Sequence, residues 1–497
     1  MILLIIGIYF LVLLVIGLLG RRSLSRSGED YFLANRSIGP IILLMTLFGT
    51  QMTAFAILGA SGEAYRRGVG VFALMASSSA IVVPAVFFFL GRPVCSLGRR
   101  YGFMTQAEFF RARWKSGLLG LLLFLVLLGL LIPYLLLGVM GAGITLNQIT
   151  SGRLPIWTGS LLVCLVVLFY VTVSGLRGTA WANTFQTIVF GTLGVVSSFY
   201  ISSKLGGFSV ALAKVGEIHP SLLNVAANFG GVEIASYLFI PMSAAMFPHL
   251  FMHWLSARSS RTFNLTIVCY PICIAIVWIP TVLLGIMGRV PFPHLQGGAV
   301  NSVLVRMIQE LAPEVLGGLL AAGVFAAIMS SLDSQVLSIG NMFTQDVVGH
   351  YIRHDVLSDR AQLIVGRVFV ILVLGVTFGL SLISDKSIFS LGIWSFTGYA
   401  ALMPILVAAL YWRRSTKWGA LASLLVTSVL WIFFFFQGWR VPDYSLVGGL
   451  MPVVVIFGAS CLALIVGSLL TTPPDEEVIK QFFRTGTPSV RNNRGSV

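Results

Sequence analysis

The sequence predicts an all-α polytopic membrane protein, and three observations carry that prediction. Apolar runs of about 20 residues recur from one end of the 497-residue chain to the other, each long enough to cross a hydrocarbon core of about 30 Å. Hydrophobic residues make up 57% of the chain and charged residues only 10%, against roughly 25% charged in a soluble domain. The runs are uniformly apolar rather than alternating. That suits helices, which satisfy their own backbone in lipid, and not the strands of a barrel.

Taken in order, thirteen transmembrane helices are expected at residues 1–19, 40–61, 69–90, 117–146, 155–174, 182–203, 231–255, 264–287, 316–345, 363–383, 388–411, 417–436 and 445–470. The first run, Met1–Gly20, reads as a retained helix and not a signal peptide. No basic residue precedes it and no small-x-small cleavage site stands before Arg21. The net charge of +15, from 32 basic and 17 acidic residues, lies in the loops. Alternate loops divide Lys and Arg 23 to 9. The heavier side includes Arg99, Arg100, Arg258, Arg261, Arg413 and Arg414. Basic loops stay cytoplasmic, which puts the amino terminus outside and the carboxyl terminus inside a cell membrane. The basic excess therefore calls for no nucleic acid. The expected partners are lipid and a small-molecule solute, with no obligatory protein partner evident.

The five cysteines (Cys95, Cys164, Cys269, Cys273, Cys461) lie in or beside apolar runs, at spacings that fit neither a zinc site nor a disulfide framework. No loop is long enough for a soluble domain, which argues against a sensor with a fused kinase. The tail at 471–497 is polar, with Pro473, Pro474, Gly486 and Pro488, and is expected to be disordered.

Two sets of five helices emerge from this order, residues 40–204 and 231–412. An extra helix at 1–20 precedes them and two more at 417–470 follow. An odd number of spans per set forces inversion, so the core is read as a five-plus-five inverted repeat. Transporters built this way open each repeat with a discontinuous helix at the midplane. Here the first helix of set one carries Phe48-Gly49-Thr50-Gln51-Met52-Thr53, and that of set two carries Pro241-Met242-Ser243 with Pro248-His249 beyond. Proline removes a helical donor and frees a carbonyl, and freed carbonyls can hold a cation. Either break alone could be ordinary Gly and Pro of a membrane helix; their matching positions favour the functional reading.

The run Ala327-Ile328-Met329-Ser330-Ser331-Leu332-Asp333-Ser334-Gln335 places Ala327, Ser330 and Ser334 on one helix face. Two hydroxyls beside unwound carbonyls suit a hard cation, while serines also serve close packing in membranes. Asp333 stands apart. A carboxylate at that depth costs about 2.5–3.5 kcal/mol to insert and marks a functional site by default. It could bind a cation, carry a proton, or pair with a basic group.

These stretches resemble the sodium:solute symporter family over nearly the whole chain. The resemblance runs through Asp30-Tyr31-Phe32-Leu33-Ala34-Asn35-Arg36-Ser37, Gly175-Leu176-Arg177, Ala180-Trp181, Pro248-His249 and Ala257-Arg258-Ser259. It continues in Ala326-Ala327-Ile328-Met329-Ser330-Ser331, Gly366-Arg367 and Tyr411-Trp412-Arg413-Arg414. It implies thirteen helices with the amino terminus outside, and sodium as the co-transported ion. It also implies a sodium site made of the carbonyls of Gly49, Met52 and Ala327 with the hydroxyls of Ser330 and Ser331. Ser331 is one residue off the face that spacing selects. Some members hold a second sodium through a Trp-x-Asp pattern, which here reads Trp181-Ala182-Asn183. A single-sodium carrier follows, or a second cation or proton site whose charge comes from Asp333, with Ser334 and Asn183 beside it. His253 stands where relatives often carry a basic residue. Arg367 matches a basic residue at the inner end of its helix, either a gate contact to Asp346 or Asp355 or a plain topology anchor.

Candidate solute-binding residues flank the breaks: Gln51, Thr53, Phe55 and Ala56, with Met242 and Ser243, and Trp394, Phe396 and Tyr399 as a lid. The stretch Tyr65–Ser116 is most similar to pantothenate-type and carboxylate members, and an exposed helix amino end suits a carboxylate. The expected function is sodium-coupled uptake of a small carboxylate, amino acid or vitamin-like solute by alternating access. The alternatives are a proton-coupled carrier using Asp333, or a non-transporting membrane sensor. An enzyme would need a clustered acid/base or metal set, and the histidines carry no such motif.

Overall fold

The computed structural model describes residues 1–22, 28–351, 359–441 and 444–483. The principal helices are α1 (Ile2–Arg22), α2 (Pro40–Gly49), α3 (Ala60–Arg67), α4 (Phe72–Tyr101), α5 (Gln106–Trp114), α6 (Gly117–Ile149), α7 (Ile156–Lys204) and α8 (Gly231–Tyr237). They continue with α9 (Pro248–Ser256), α10 (Phe263–Met287), α11 (Glu314–Met342), α12 (Asp359–Ile383), α13 (Ile388–Tyr411), α14 (Lys417–Arg440), α15 (Pro452–Leu469) and α16 (Glu476–Phe483). Short connecting helices are left unlabelled.

Among the described residues ten helices are long and apolar enough to cross a membrane, or eleven if the bent pair α8 and α9 is one span. The expected thirteen differ from this in two places. The helix at 40–61 is split into α2 and α3, each too short to span alone. The helices at 155–174 and 182–203 are not separated by a loop. They run into one another as α7, two helices that meet at a kink over 49 residues, more than twice the roughly 20 residues that cross a hydrocarbon core. Its axis is broken at Gly175 (φ 58°, ψ −163°). A Cβ there would lie 2.7 Å from the Tyr31 carbonyl, so glycine is required on both counts. Arg177 just beyond is neutralised by the buried Asp30 at 2.7 Å, which lets the helix continue through a charged residue.

Burial sorts the helices into layers. In α11 83% of the most apolar window is inside the protein, against 28% in α1. So α11 is the central post and α1 a peripheral helix facing lipid. Lipid offers no hydrophobic drive between helices, and small residues allow their close approach instead. Gly20 meets the Gly178 backbone, Gly17 faces Tyr170, and Gly138 lies under Leu332, each with less than 3 Å left for an added Cβ. The tail departs from the expected disorder over α16, where Val478 and Phe482 are buried. Residues 484–497 of the tail lie outside the described residues, as does Asp355.

Candidate functional site

The two breaks face α11. On one side α2 stops at Gly49 and helix resumes only after Thr53, whose hydroxyl accepts from the Phe55 amide at 3.0 Å. On the other side α8 passes through a 3₁₀ turn, Ile240–Ala245, and α9 starts at Pro248 after an extended Phe247; α8 and α9 are bent by 51°. Pro241 and Pro248 explain why the helix cannot run through.

Ser330 joins the first break to the post. Its hydroxyl lies 2.9 Å from the Gly49 carbonyl and 3.0 Å from that of Ala327. The close approach depends on glycine, because a Cβ on Gly49 would fall 2.1 Å from Thr187 Oγ1. That hydroxyl donates to the carbonyls of Asn183 (2.6 Å) and Met45 (3.1 Å), tying α7 to α2. Of the five residues the resemblance implies for sodium, Gly49, Ala327 and Ser330 therefore meet. The Met52 amide donates to the Gly49 carbonyl at 3.1 Å. Ser331 turns its hydroxyl back to Ile328 of its own helix at 3.0 Å.

Asp333 is fully buried on α11. The Tyr170 hydroxyl donates to it at 2.6 Å. The Asn183 amide, oriented to suit its neighbours, donates to the same carboxylate at 2.8 and 3.0 Å and accepts from Ser334 Oγ at 2.8 Å. His253 Nε2 lies 3.3 Å from Ser334 Oγ. Asp333, Ser334 and Asn183 thus form one cluster, contiguous with Ser330.

A residual space of about 40 Å³ at the breaks is lined by Gln51, Met52, Phe55, Ser243 and Phe396, with Tyr134, Tyr270 and Trp278 that the sequence did not single out. The remaining solute candidates stand elsewhere. Thr53 and Ala56 are buried without lining this space, and Met242 is partly buried beside it. Tyr399 donates to the Leu127 carbonyl at 2.9 Å. Trp394 lines a second cavity of about 600 Å³, together with Phe389, Arg66, Arg67, Glu233 and Lys386. Aromatic rings link the two linings: Phe55 of the first stacks on Phe389 of the second at 4.7 Å and meets Phe396 edge-on at 4.9 Å. Arg367 bonds the Thr172 carbonyl at 2.9 Å; Asp346 pairs instead with Arg111 at 3.3 Å.

Sequence reasoning missed Tyr170, Thr187 and Gln186. Gln186 was legible as a polar residue three after Asn183, on the same helix face. Thr187, four after Asn183, shares that face, whereas Tyr170 enters only through packing between distant segments.

The chain is 28% identical to the sodium/pantothenate symporter of Escherichia coli over 424 residues, covering 83% of this chain and 85% of that one. It is 24% identical to the sodium/proline symporter of the same organism over 502 residues, covering 96% and 94%. Among solved structures, a Na+-coupled sialic acid symporter in a substrate-bound outward-open state superposes with a TM-score of 0.78. The identity is 16%, over 95% of this chain and 98% of that chain. A transporter of the nucleobase-cation-symport-1 family gives 0.58 at 14% identity, over 92% and 99%. These two share the fold. The profile of the sodium:solute symporter family matches residues 31–427, most of the chain. The protein is therefore a multi-pass membrane transporter and not an enzyme, sodium is its co-transported ion, and it belongs to the sodium:solute symporter family.

Proposed function

We propose that the chain imports a small organic solute together with sodium by alternating access, with Gly49, Met52, Ala327, Ser330 and Ser331 holding the ion. The observation that carries this reading is the meeting of the Ser330 hydroxyl with the Gly49 and Ala327 carbonyls at a helix break. Oxygen ligands of this kind suit a hard cation. Two repeats of five helices, 40–204 and 231–412, give the symmetry that alternating access uses. The count of thirteen follows if α2 with α3 is one span, α8 with α9 another, and α7 two spans parted at Gly175. The charge split puts the amino terminus outside and the tail inside, in the plasma membrane. The large cavity beside Arg66 and Lys386 then opens outward, and Phe55 with Phe389 closes the way in.

The solute is a carboxylate-bearing compound of amino-acid or vitamin size. Proline and pantothenate, the solutes of the relatives compared, both carry a carboxylate, and Gln51 and Ser243 offer uncharged donors beside the broken helices. A second reading is proton coupling through Asp333, favoured by the full burial of that carboxylate.

Tracer uptake of proline and of pantothenate into proteoliposomes, with and without an inward sodium gradient, tests both. Sodium-driven uptake is expected, and Ser330→Ala should raise the half-saturating sodium concentration by about tenfold, or about 1.4 kcal/mol. Uptake driven equally by a proton gradient in sodium-free buffer, and lost in Asp333→Asn, would replace this reading with the proton one.

A further inference from the structure

Nearly all buried polar groups in a folded protein find a hydrogen-bond partner, because leaving one without costs about 1–3 kcal/mol. Four side chains beside the central space depart from this together. His249, the second residue of α9, is fully buried, and neither ring nitrogen has a protein partner. Gln335 of α11 is buried and makes no hydrogen bond of ordinary geometry at either end of its amide; the Tyr134 hydroxyl is its loose neighbour. That holds in either tautomer of His249 and either orientation of Gln335, since all four atoms are affected. Gln106 of α5 and Asn341 of α11 are half used. Their nitrogens donate to the Met246 and Met104 carbonyls, both at 3.2 Å, and their buried amide oxygens accept from no protein group.

The four lie in a file. The His249 ring stands 5.2 Å from that of Phe247 and 5.7 Å from that of Tyr134, and both rings line the small central space. Gln335 follows at the Tyr134 hydroxyl. Gln106 reaches Met246, just before α9, and Asn341 reaches Met104, just before Gln106. The file ends at Arg111 and Asp346, paired at 3.3 Å. Residues 335 to 346 cover roughly 16 Å of helix, about half of a hydrocarbon core of about 30 Å.

A core that never opens would be as stable or more so with apolar side chains of the same shape in these places. In a core with two arrangements, groups without partners in one can be served by water and solute in the other. We propose that Gln106, His249, Gln335 and Asn341 line the inward route of the solute, a passage between α5, α9 and α11 that is shut here and opens towards Arg111 and Asp346. The inference rests on the alternating-access reading above and gives it a route. Amide and imidazole groups can donate to a carboxylate and to its water, with no guanidinium among the four to hold the anion back.

Thiol labelling reads this route without knowledge of the solute. Gln335→Cys and Asn341→Cys are treated with a charged, membrane-impermeant maleimide in inside-out and in right-side-out vesicles, and the labelling of the natural protein is subtracted. Both should label several-fold above the natural protein from the inner side alone, Asn341→Cys faster because it stands nearer the mouth. Leu332→Cys, equally buried on α11 but packed on Gly138, should stay unlabelled. No inner-side labelling of either variant, or equal labelling of Leu332→Cys, would overturn the route. Labelling of Gln335→Cys from both sides under one condition would instead remove alternating access, on which the proposal rests. Gln335→Met gives a second measurement, because it deletes both unpartnered atoms at nearly constant shape. Its thermal midpoint in detergent should rise. An unchanged or lower midpoint would show that the amide serves the closed structure, against the proposal.

Discussion

At the scale of single residues, the site depends on how closely two backbones approach. Gly49 has no room for a methyl group, because Thr187 Oγ1 occupies the space at 2.1 Å and is held there by two carbonyls. Gly49→Ala must therefore turn Thr187 out of its hydrogen bonds or push α2 away from α7. Either change moves the Gly49 carbonyl relative to Ser330. The expected result is a rise of at least tenfold in half-saturating sodium, read from sodium-dependent tracer uptake. Thr187→Ala in the same chain should restore part of the affinity by making room. If the double variant is as impaired as Gly49→Ala alone, steric displacement is not the cause. Much of this was legible in the sequence. A glycine among polar residues in an apolar helix and two serines on another marked both sides of the meeting. The reach of Thr187 to α2 was not legible, since a threonine in a membrane helix commonly bonds its own preceding turn, and this one does that as well.

At the scale of elements, every break was readable in place: those at proline and glycine clusters from composition, and the one at Gly175 as the gap between the expected helices 155–174 and 182–203. Pro241, Pro248 and the Gly49 segment each remove or loosen helical hydrogen bonds, so the sequence marks them. Gly175 lies among Ser174, Leu176 and Arg177, which read as a short loop, because an arginine there would otherwise be exposed to lipid. The structure replaces the loop with a kink: Asp30, a buried partner 147 residues away in sequence, pairs with Arg177, and Gly175 at positive φ joins the two helices directly. Gly175→Ala is expected to cost about 1–3 kcal/mol, the range for a non-glycine residue held in a strained backbone region. The Tyr31 carbonyl at 2.7 Å adds a clash. Thermal unfolding in detergent should show the loss as a lower midpoint. An unchanged midpoint would mean that the kink is not part of the stable fold.

At the scale of the whole molecule, the end that the proposed orientation makes the inner one is closed by a stack of elements from distant parts of the chain. The helix α5 is its centre. Gln106 bonds the Met246 carbonyl at 3.2 Å, just before α9 begins, and Phe109 meets Phe251 of α9 at 5.6 Å. Arg111 pairs with Asp346 beyond the end of α11 at 3.3 Å. Arg113, fully buried, bonds the Ala409 and Trp412 carbonyls at the end of α13, each at 3.1 Å. Burial pulls its guanidinium down to about 10, which leaves it protonated at neutral pH. The tail helix α16 covers this assembly from outside. Phe482 packs against Tyr101, Phe103 and Phe109 at 5.6–6.2 Å, and Phe483 lies 5.2 Å from the Arg113 guanidinium. The proline pair and the charges of the tail suggested disorder, yet Val478 and Phe482 are four apart and form one apolar face, a signal that six polar neighbours obscured. Burying a phenylalanine contributes about 2 kcal/mol, whereas the exposed Lys115 contacts to Asp475 and Glu477 at 3.8 and 3.5 Å contribute little. Phe482→Ala should therefore release α16, and Lys115→Ala should not. Limited proteolysis of inside-out vesicles, followed at the carboxyl terminus, is expected to cleave the Phe482→Ala protein several-fold faster than the natural one, with Lys115→Ala unchanged. Equal cleavage of all three would show that α16 is held by something other than its aromatic face.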